Sequence, residues 1–181
     1  NENFYVACAA IFVAMVLDGL DGRVARMTNT QSAFGAEYDS MSDMVAFGVA
    51  PALLSYKWGL SELGNVGLTV AFIYAACAAL RLARFNTQIG VVDKRWFIGL
   101  ASPAAAGVVA GLVWAVSEHD VYGQNMPVLA SLLFAAVVAV AGLLMVSNIK
   151  YYSFKDLDLK GRVPFVMMLV AVLGFAVVFS D

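Results

Sequence analysis

The residues best suited to do chemistry lie between Asp18 and Asp43, in the run DGLDGRVARMTNTQSAFGAEYDSMSD. Asp18 and Asp21 are three positions apart, and Asp39 and Asp43 are four apart. At about 100° per helical residue, each pair shares one helix face. Gly22, Ala25 and Arg26 fall on the broad face of the first pair, and Gly35 on that of the second. A polar turn at residues 28–32 separates the two segments, so they can fold back antiparallel and bring four carboxylates together. Uncompensated, those charges repel strongly. Bound cations resolve the repulsion. An all-oxygen donor set with no His or Cys beside it suits Mg²⁺ or Mn²⁺ and disfavours zinc. Gly22, Ala25 and Gly35 leave steric room for a ligand near the backbone. Arg26 adds a cation suited to phosphate. Metal, cation and room together point to phosphoryl chemistry on a pyrophosphate substrate. The plainer alternative is a set of solvated charges and salt bridges at two helix ends. Four regularly spaced aspartates with three small residues among them argue against it.

The elements that must position these residues are apolar. The chain has 181 residues, 62% of them hydrophobic and only 13% charged, with a mean hydropathy of +0.82. A soluble domain carries about twice that charged fraction. Several runs reach the roughly 20 residues that a helix needs to cross a bilayer. The short alternating segments of a β-barrel are missing. The fold expected is all-α, a polytopic transmembrane helix bundle in one domain over residues 1–181. Six spans are expected, at residues 4–27, 33–57, 66–85, 102–117, 127–146 and 163–180. Tyr56 and Trp58 fit an interfacial aromatic belt. Cys8 and Cys77 read as buried apolar residues with no disulfide between them. His119 reads as a solvated loop residue. No basic block suggests nucleic acid as a partner.

Orientation follows from the basic residues. Arg23, Arg26, Arg81, Arg84, Lys94, Arg95, Lys150, Lys155, Lys160 and Arg162 fall on one side of this arrangement, and Lys57 alone on the other. The positive-inside rule makes the first side cytoplasmic. The aspartates then face the cytoplasm. Lys94, Arg95, Lys155 and Lys160 are expected against anionic lipid headgroups. The small-residue stretch from Gly107 to Gly111 offers a face on which a homodimer could form.

The stretch from Asp18 to Asp43 also resembles a family pattern. The CDP-alcohol phosphatidyltransferase family carries D-x2-D-G-x2-A-R-x8-G-x3-D-x3-D. Asp18, Asp21, Gly22, Ala25, Arg26, Gly35, Asp39 and Asp43 supply every element at every spacing. Eight fixed positions over 26 residues make this a specific signal. Further blocks look like the bacterial phosphatidylserine synthase branch of that family: FGAEYDSMSDMVAFGVAPALL from Phe34, RLARFN from Arg81, GLASPAAAG from Gly99 and LMVSNIKYYSFK from Leu144. The family usually has another helix before the motif helix, so the resemblance implies an N-terminal truncation of the domain.

The resemblance also implies a reaction. Phosphatidyl would pass from CDP-diacylglycerol, held in membrane lipid, to the hydroxyl of L-serine, with release of CMP. Asp18, Asp21 and Asp39 would hold the metal ions, two of Mg²⁺ or Mn²⁺. Asp43 would complete the cluster and act as general base. Gly22, Ala25 and Gly35 would make room for the nucleotide, with Arg26 on phosphate. The acceptor brings a carboxylate, so a cation beside the acidic cluster is wanted, and Arg84, Asn148 and Lys150 at the cytoplasmic span ends are the candidates. A sibling transferase using glycerol-3-phosphate or an inositol phosphate is the nearest alternative. A divalent-cation transporter is the alternative of another class.

Overall fold

A computed structural model describes residues 2–28, 30, 32–88, 96–118 and 127–152. The first helix, α1, runs Glu2–Thr28. Its apolar N-terminal part carries it past Leu17 into the aspartate stretch. The turn that follows is closed by hydroxyls. Thr28 Oγ1 donates to Val24 O at 2.8 Å, and the Thr30 N–H donates to Ala25 O at 3.2 Å. Both bonds tie the turn back to carbonyls near the C-terminal end of α1. Ser32 then caps α2, Ala33–Asp43, by accepting from the Gly35 N–H at 3.0 Å. Such a serine cap contributes about 1 kcal/mol.

The second expected span is helical along its length but not uniform. After α2 comes a wide π turn, Met44–Val49, and then α3, Ala50–Trp58. A 3₁₀ turn, Leu60–Leu63, leads into α4, Asn65–Gln88. The helix α5 covers Ser102–Glu118 and α6 covers Val128–Val146. One short antiparallel ladder joins β1, Trp96–Ile98, to β2, Lys150–Tyr152, pairing Ile98 with Lys150. Apart from that ladder, the described residues form a helical bundle.

Three helices are long and apolar enough to cross a membrane: Phe4–Ala25, Asn65–Thr87 and Val128–Val146. Ser102–Ser117 is apolar but shorter. The expected count of six therefore resolves into three full-length candidates, one short apolar helix and one segmented helix. The sixth expected span, residues 163–180, lies outside the described residues, as do His119, Lys94, Arg95, Lys155, Lys160 and Arg162.

Packing runs mainly between α4 and α6, and between α1 and α5. The core holds Phe47, Leu54, Tyr74, Ala78, Val109, Val113, Phe134, Val138 and Met145. Cys8 and Cys77 are both buried thiols, as expected. Outward faces are apolar too, with Val13, Leu17, Phe72, Leu80, Leu132, Leu133 and Leu143 exposed. An apolar exterior around a close-packed interior is what a lipid-facing bundle requires. Small residues let the helices approach. A Cβ on Gly48 would stand 3.1 Å from the Cβ of Ala78, and one on Gly142 would stand 3.2 Å from the Cα of Tyr74. The expected dimer face is used within the chain. Gly107 lies under Met15 and Gly111 under Phe12, both on α1. Trp58 also turns inward. Its Nε1 donates to Ser117 Oγ at 3.0 Å, and its ring meets Phe134 edge-on at 4.7 Å.

Candidate active site

The up-and-down path of the helices gathers one set of termini at one end of the bundle. There the end of α1 meets the start of α2, the end of α4, the start of α5 and the end of α6. Every sequence-expected site residue belongs to these termini or to the segments beside them.

The carboxylates assemble as their spacing requires. Asp18, Asp21 and Asp39 each offer an oxygen, and those three oxygens lie within 4.8 Å of one another. Asp43 reaches across to Asp18, with the two carboxyl groups in hydrogen-bond contact. Asp39 feels the charges of Asp18 and Asp21, and Asp43 those of Asp18 and Asp39. Asp18 and Asp43 are half-buried, while Asp21 and Asp39 are exposed. The cluster is thus open on one side and walled on the other. Its donor set fits a hard divalent cation. All the donors are oxygens, and the three that lie within 4.8 Å of one another could together hold a single ion.

The cation acting on Asp43 is Arg81, which is not among the acceptor candidates read from the sequence. Arg81 is half-buried near the end of α4, and its Nη1 donates to Ser102 Oγ at 2.7 Å. Ser102 is fully buried at the start of α5. Arg84 lies one turn further on. Its Nη1 donates to Ser147 O at 3.3 Å and to Asn148 Oδ1 at 3.2 Å. Two of the three acceptor candidates, Arg84 and Asn148, are therefore brought together. The backbone of the third, Lys150, is held in the ladder opposite Ile98. The side chains of Lys150 and Arg26 lie outside the described residues.

Two further polar residues join this end of the bundle. Asn86 Nδ2 donates to Ser40 Oγ at 3.0 Å, tying the end of α4 to the helix that carries Asp39 and Asp43. Ser40 follows Asp39 directly, and Asn86 closes the RLARFN block. That adjacency was the only signal for them in the sequence. Gly22 and Ala25 are half-buried beside the aspartates. Gly35 has a local role as well. A Cβ there would stand 3.1 Å from Ser32 Oγ, so its bare backbone gives the capping hydroxyl room. On the neighbouring face of α2 and the π turn, an open groove is lined by Tyr38, Met41, Ser42, Val45 and Ala46.

The family model for CDP-alcohol phosphatidyltransferase matches residues 1–179. The chain belongs to the CDP-alcohol phosphatidyltransferase family. It is similar to a protein of Helicobacter pylori named CDP-diacylglycerol–serine O-phosphatidyltransferase, at 40% identity over 170 residues, which is 94% of this chain and 70% of that protein. A protein of the same name from Methanocaldococcus jannaschii is 41% identical over 146 residues, covering 81% of this chain and 63% of its own length. One from Bacillus subtilis is 36% identical over 154 residues, covering 85% and 78%. The match spans nearly the whole chain, and the cluster of Asp18, Asp21 and Asp39 lies within it.

Proposed function

We propose that this protein transfers phosphatidyl from CDP-diacylglycerol to L-serine, giving phosphatidylserine and CMP. The observation that carries the reading is the 40% identity, over 94% of the chain, to a protein named for that reaction. We read residues 1–181 as one membrane domain, with its active site on the cytoplasmic side of a bacterial inner membrane. The arginines at the site end support that orientation through the positive-inside rule.

In this reading Asp18, Asp21 and Asp39 hold two Mg²⁺ or Mn²⁺ ions, with Asp43 completing the set. When bound, such ions polarise the pyrophosphate and stabilise charge on the departing nucleotide. Asp43 accepts the proton of the serine hydroxyl, and the freed oxygen forms a bond to the phosphorus that carries diacylglycerol. The bond from that phosphorus to the oxygen of CMP breaks, and CMP leaves with its electron pair. Arg81 sits beside Asp43 and fixes the orientation of that carboxylate through its charge. Arg84, steadied by Asn148, holds the serine carboxylate; a guanidinium suits that task because it can bind a carboxylate with two parallel N–H donors. Gly22 and Ala25 leave space for the nucleotide, and Arg26 binds phosphate. The apolar groove from Tyr38 to Ala46 adjoins Asp39 and Asp43, a surface along which acyl chains can lie.

The test is an acceptor screen. Purified protein with CDP-diacylglycerol and Mn²⁺ is offered L-serine, glycerol-3-phosphate or inositol phosphate, and CMP release is measured. Serine alone is expected to support turnover, and EDTA to abolish it until Mn²⁺ or Mg²⁺ is restored. Release that needs glycerol-3-phosphate and ignores serine would sink the serine assignment.

A further inference from the structure

The π turn at Met44–Val49 begins directly after Asp43, and its cause is in the sequence. Pro51 has no N–H, and a proline ring inside a helix clashes with the carbonyl four residues earlier. That carbonyl belongs to Phe47. The helix widens instead. The Ala50 N–H reaches back five residues to Val45 O, beyond the usual four. Widening relieves the clash but leaves the Phe47 carbonyl without the amide partner that residue 51 would supply. A buried carbonyl without a partner is costly. Here Tyr74 of α4 supplies the partner, donating its hydroxyl to Phe47 O at 3.2 Å. Tyr74 is fully buried and Phe47 nearly so. Gly48 lets α4 seat closely at the same point, with Ala78 against it.

The π turn adds one residue to the helical path, which turns α2 relative to α3 by about 100°. On one side α3 buries Pro51, Ala52, Leu54 and Ser55. On the other side Asp39 meets Asp18 and Asp21. A uniform α-helix that kept the buried face of α3 would carry Asp39 and Asp43 away from the first pair. We propose that Tyr74 and Pro51 are positioning residues for the aspartate cluster: the proline forces the wide turn, and the tyrosine hydroxyl holds it in the register that faces Asp39 and Asp43 toward Asp18 and Asp21. This inference rests on the reading of those aspartates as metal-holding.

The experiment titrates Mn²⁺ into the full chain in detergent and follows free Mn²⁺ by its electron paramagnetic resonance signal. Metal-free thermal unfolding midpoints are measured beside it. Tyr74→Phe frees the register, so the competent fraction falls and the apparent Kd rises in proportion, by about tenfold. Adding Pro51→Ala to it gives Phe47 O a backbone donor. The midpoint should then return to that of the parent while Mn²⁺ binding stays weak, because the α register now competes. Ser55→Ala serves as the structural control. It removes another buried hydroxyl bond, 2.7 Å to Pro51 O, and should lower the midpoint with Mn²⁺ binding kept. If Tyr74→Phe does not fold, Pro51→Ala alone carries the same test, with weakened binding at an unchanged midpoint expected. A Kd within about twofold of the parent in the Tyr74 and Pro51 variants overturns the inference, as does a Kd that simply tracks the midpoint across all variants. Serine-dependent CMP release by the parent, measured alongside, keeps the two readings apart. Should it persist while the variants bind Mn²⁺ normally, only this inference fails. A parent that binds no Mn²⁺ removes the metal reading and this inference with it.

Discussion

The two halves of the helical stretch Ala33–Trp58 differ in almost every physical respect. The first half, α2, buries none of its residues and carries Glu37, Asp39 and Asp43. The second half, α3, buries Pro51, Ala52, Leu54 and Ser55 and packs against α1, α4 and α5. One is shaped by charge and the other by close packing, with the π turn between them. The contrast teaches where each property of the molecule resides. Folding free energy is concentrated where side chains interlock, because dispersion and packing bind helices together in lipid. Chemistry is placed where the bundle is open, because a nucleotide lipid and a polar acceptor must both reach the same atoms. Four carboxylates at the open end oppose folding through their repulsion, and the packed end offsets that cost.

The strongest way to break this comparison is Asp43→Asn. It keeps shape and removes one charge and the proposed base. Serine-dependent CMP release is expected to fall by about 10³-fold, in the range for loss of a positioned proton acceptor. The metal-free unfolding midpoint is expected to hold or rise, since a mutual repulsion is relieved. A clear drop in midpoint would show that the site end stabilises the fold after all.

The reciprocal change is Phe134→Ala. Phe134 is almost fully buried and meets Trp58 edge-on at 4.7 Å. Its loss leaves a cavity and removes an aromatic pair, a destabilisation of about 3 kcal/mol. The midpoint should fall sharply while Mn²⁺ affinity of the folded protein stays within about twofold. Weaker metal binding of the folded form would mean that the two ends are coupled.

A smaller effect sharpens the boundary between metal site and acceptor site. Arg84→Ala removes the guanidinium that Asn148 and Ser147 hold. The expected result is about a tenfold rise in KM for L-serine, with kcat and Mn²⁺ affinity little changed. A fall in kcat at unchanged KM would place Arg84 with the reacting atoms, and would shift the acceptor carboxylate toward Arg81.

Much of the site was legible before any fold was known. Spacings of three and four residues put each aspartate pair on one helix face whatever the tertiary arrangement, because helical geometry is local. The polar turn at residues 28–32 made the antiparallel return readable. Less of the acceptor side was legible. Arg81 and Arg84 are both basic residues at the same helix end, and topology alone explains both. Only packing distinguishes them, by placing Ser102 against one and Asn148 against the other. The stretch from Gly107 to Gly111 was legible as a close-packing face, but its neighbour within the chain was not. A small-residue stripe says that something packs closely there, and α1 of the same chain is what does so.

By itself, then, the sequence determined the chemistry available: four carboxylates, their pairing into two edges, and an apolar bundle to carry them. It also held Pro51, whose missing N–H leaves a gap in the helical bonding whatever its neighbours are. The tertiary structure alone decided which residues meet across the bundle. Tyr74 and Phe47 are 27 positions apart, Ser40 and Asn86 are 46 apart, and Arg84 and Asn148 are 64 apart. No local periodicity encodes such pairs. They form because helices of particular lengths and small-residue faces can approach only in certain registers, and those registers are set by the whole core at once.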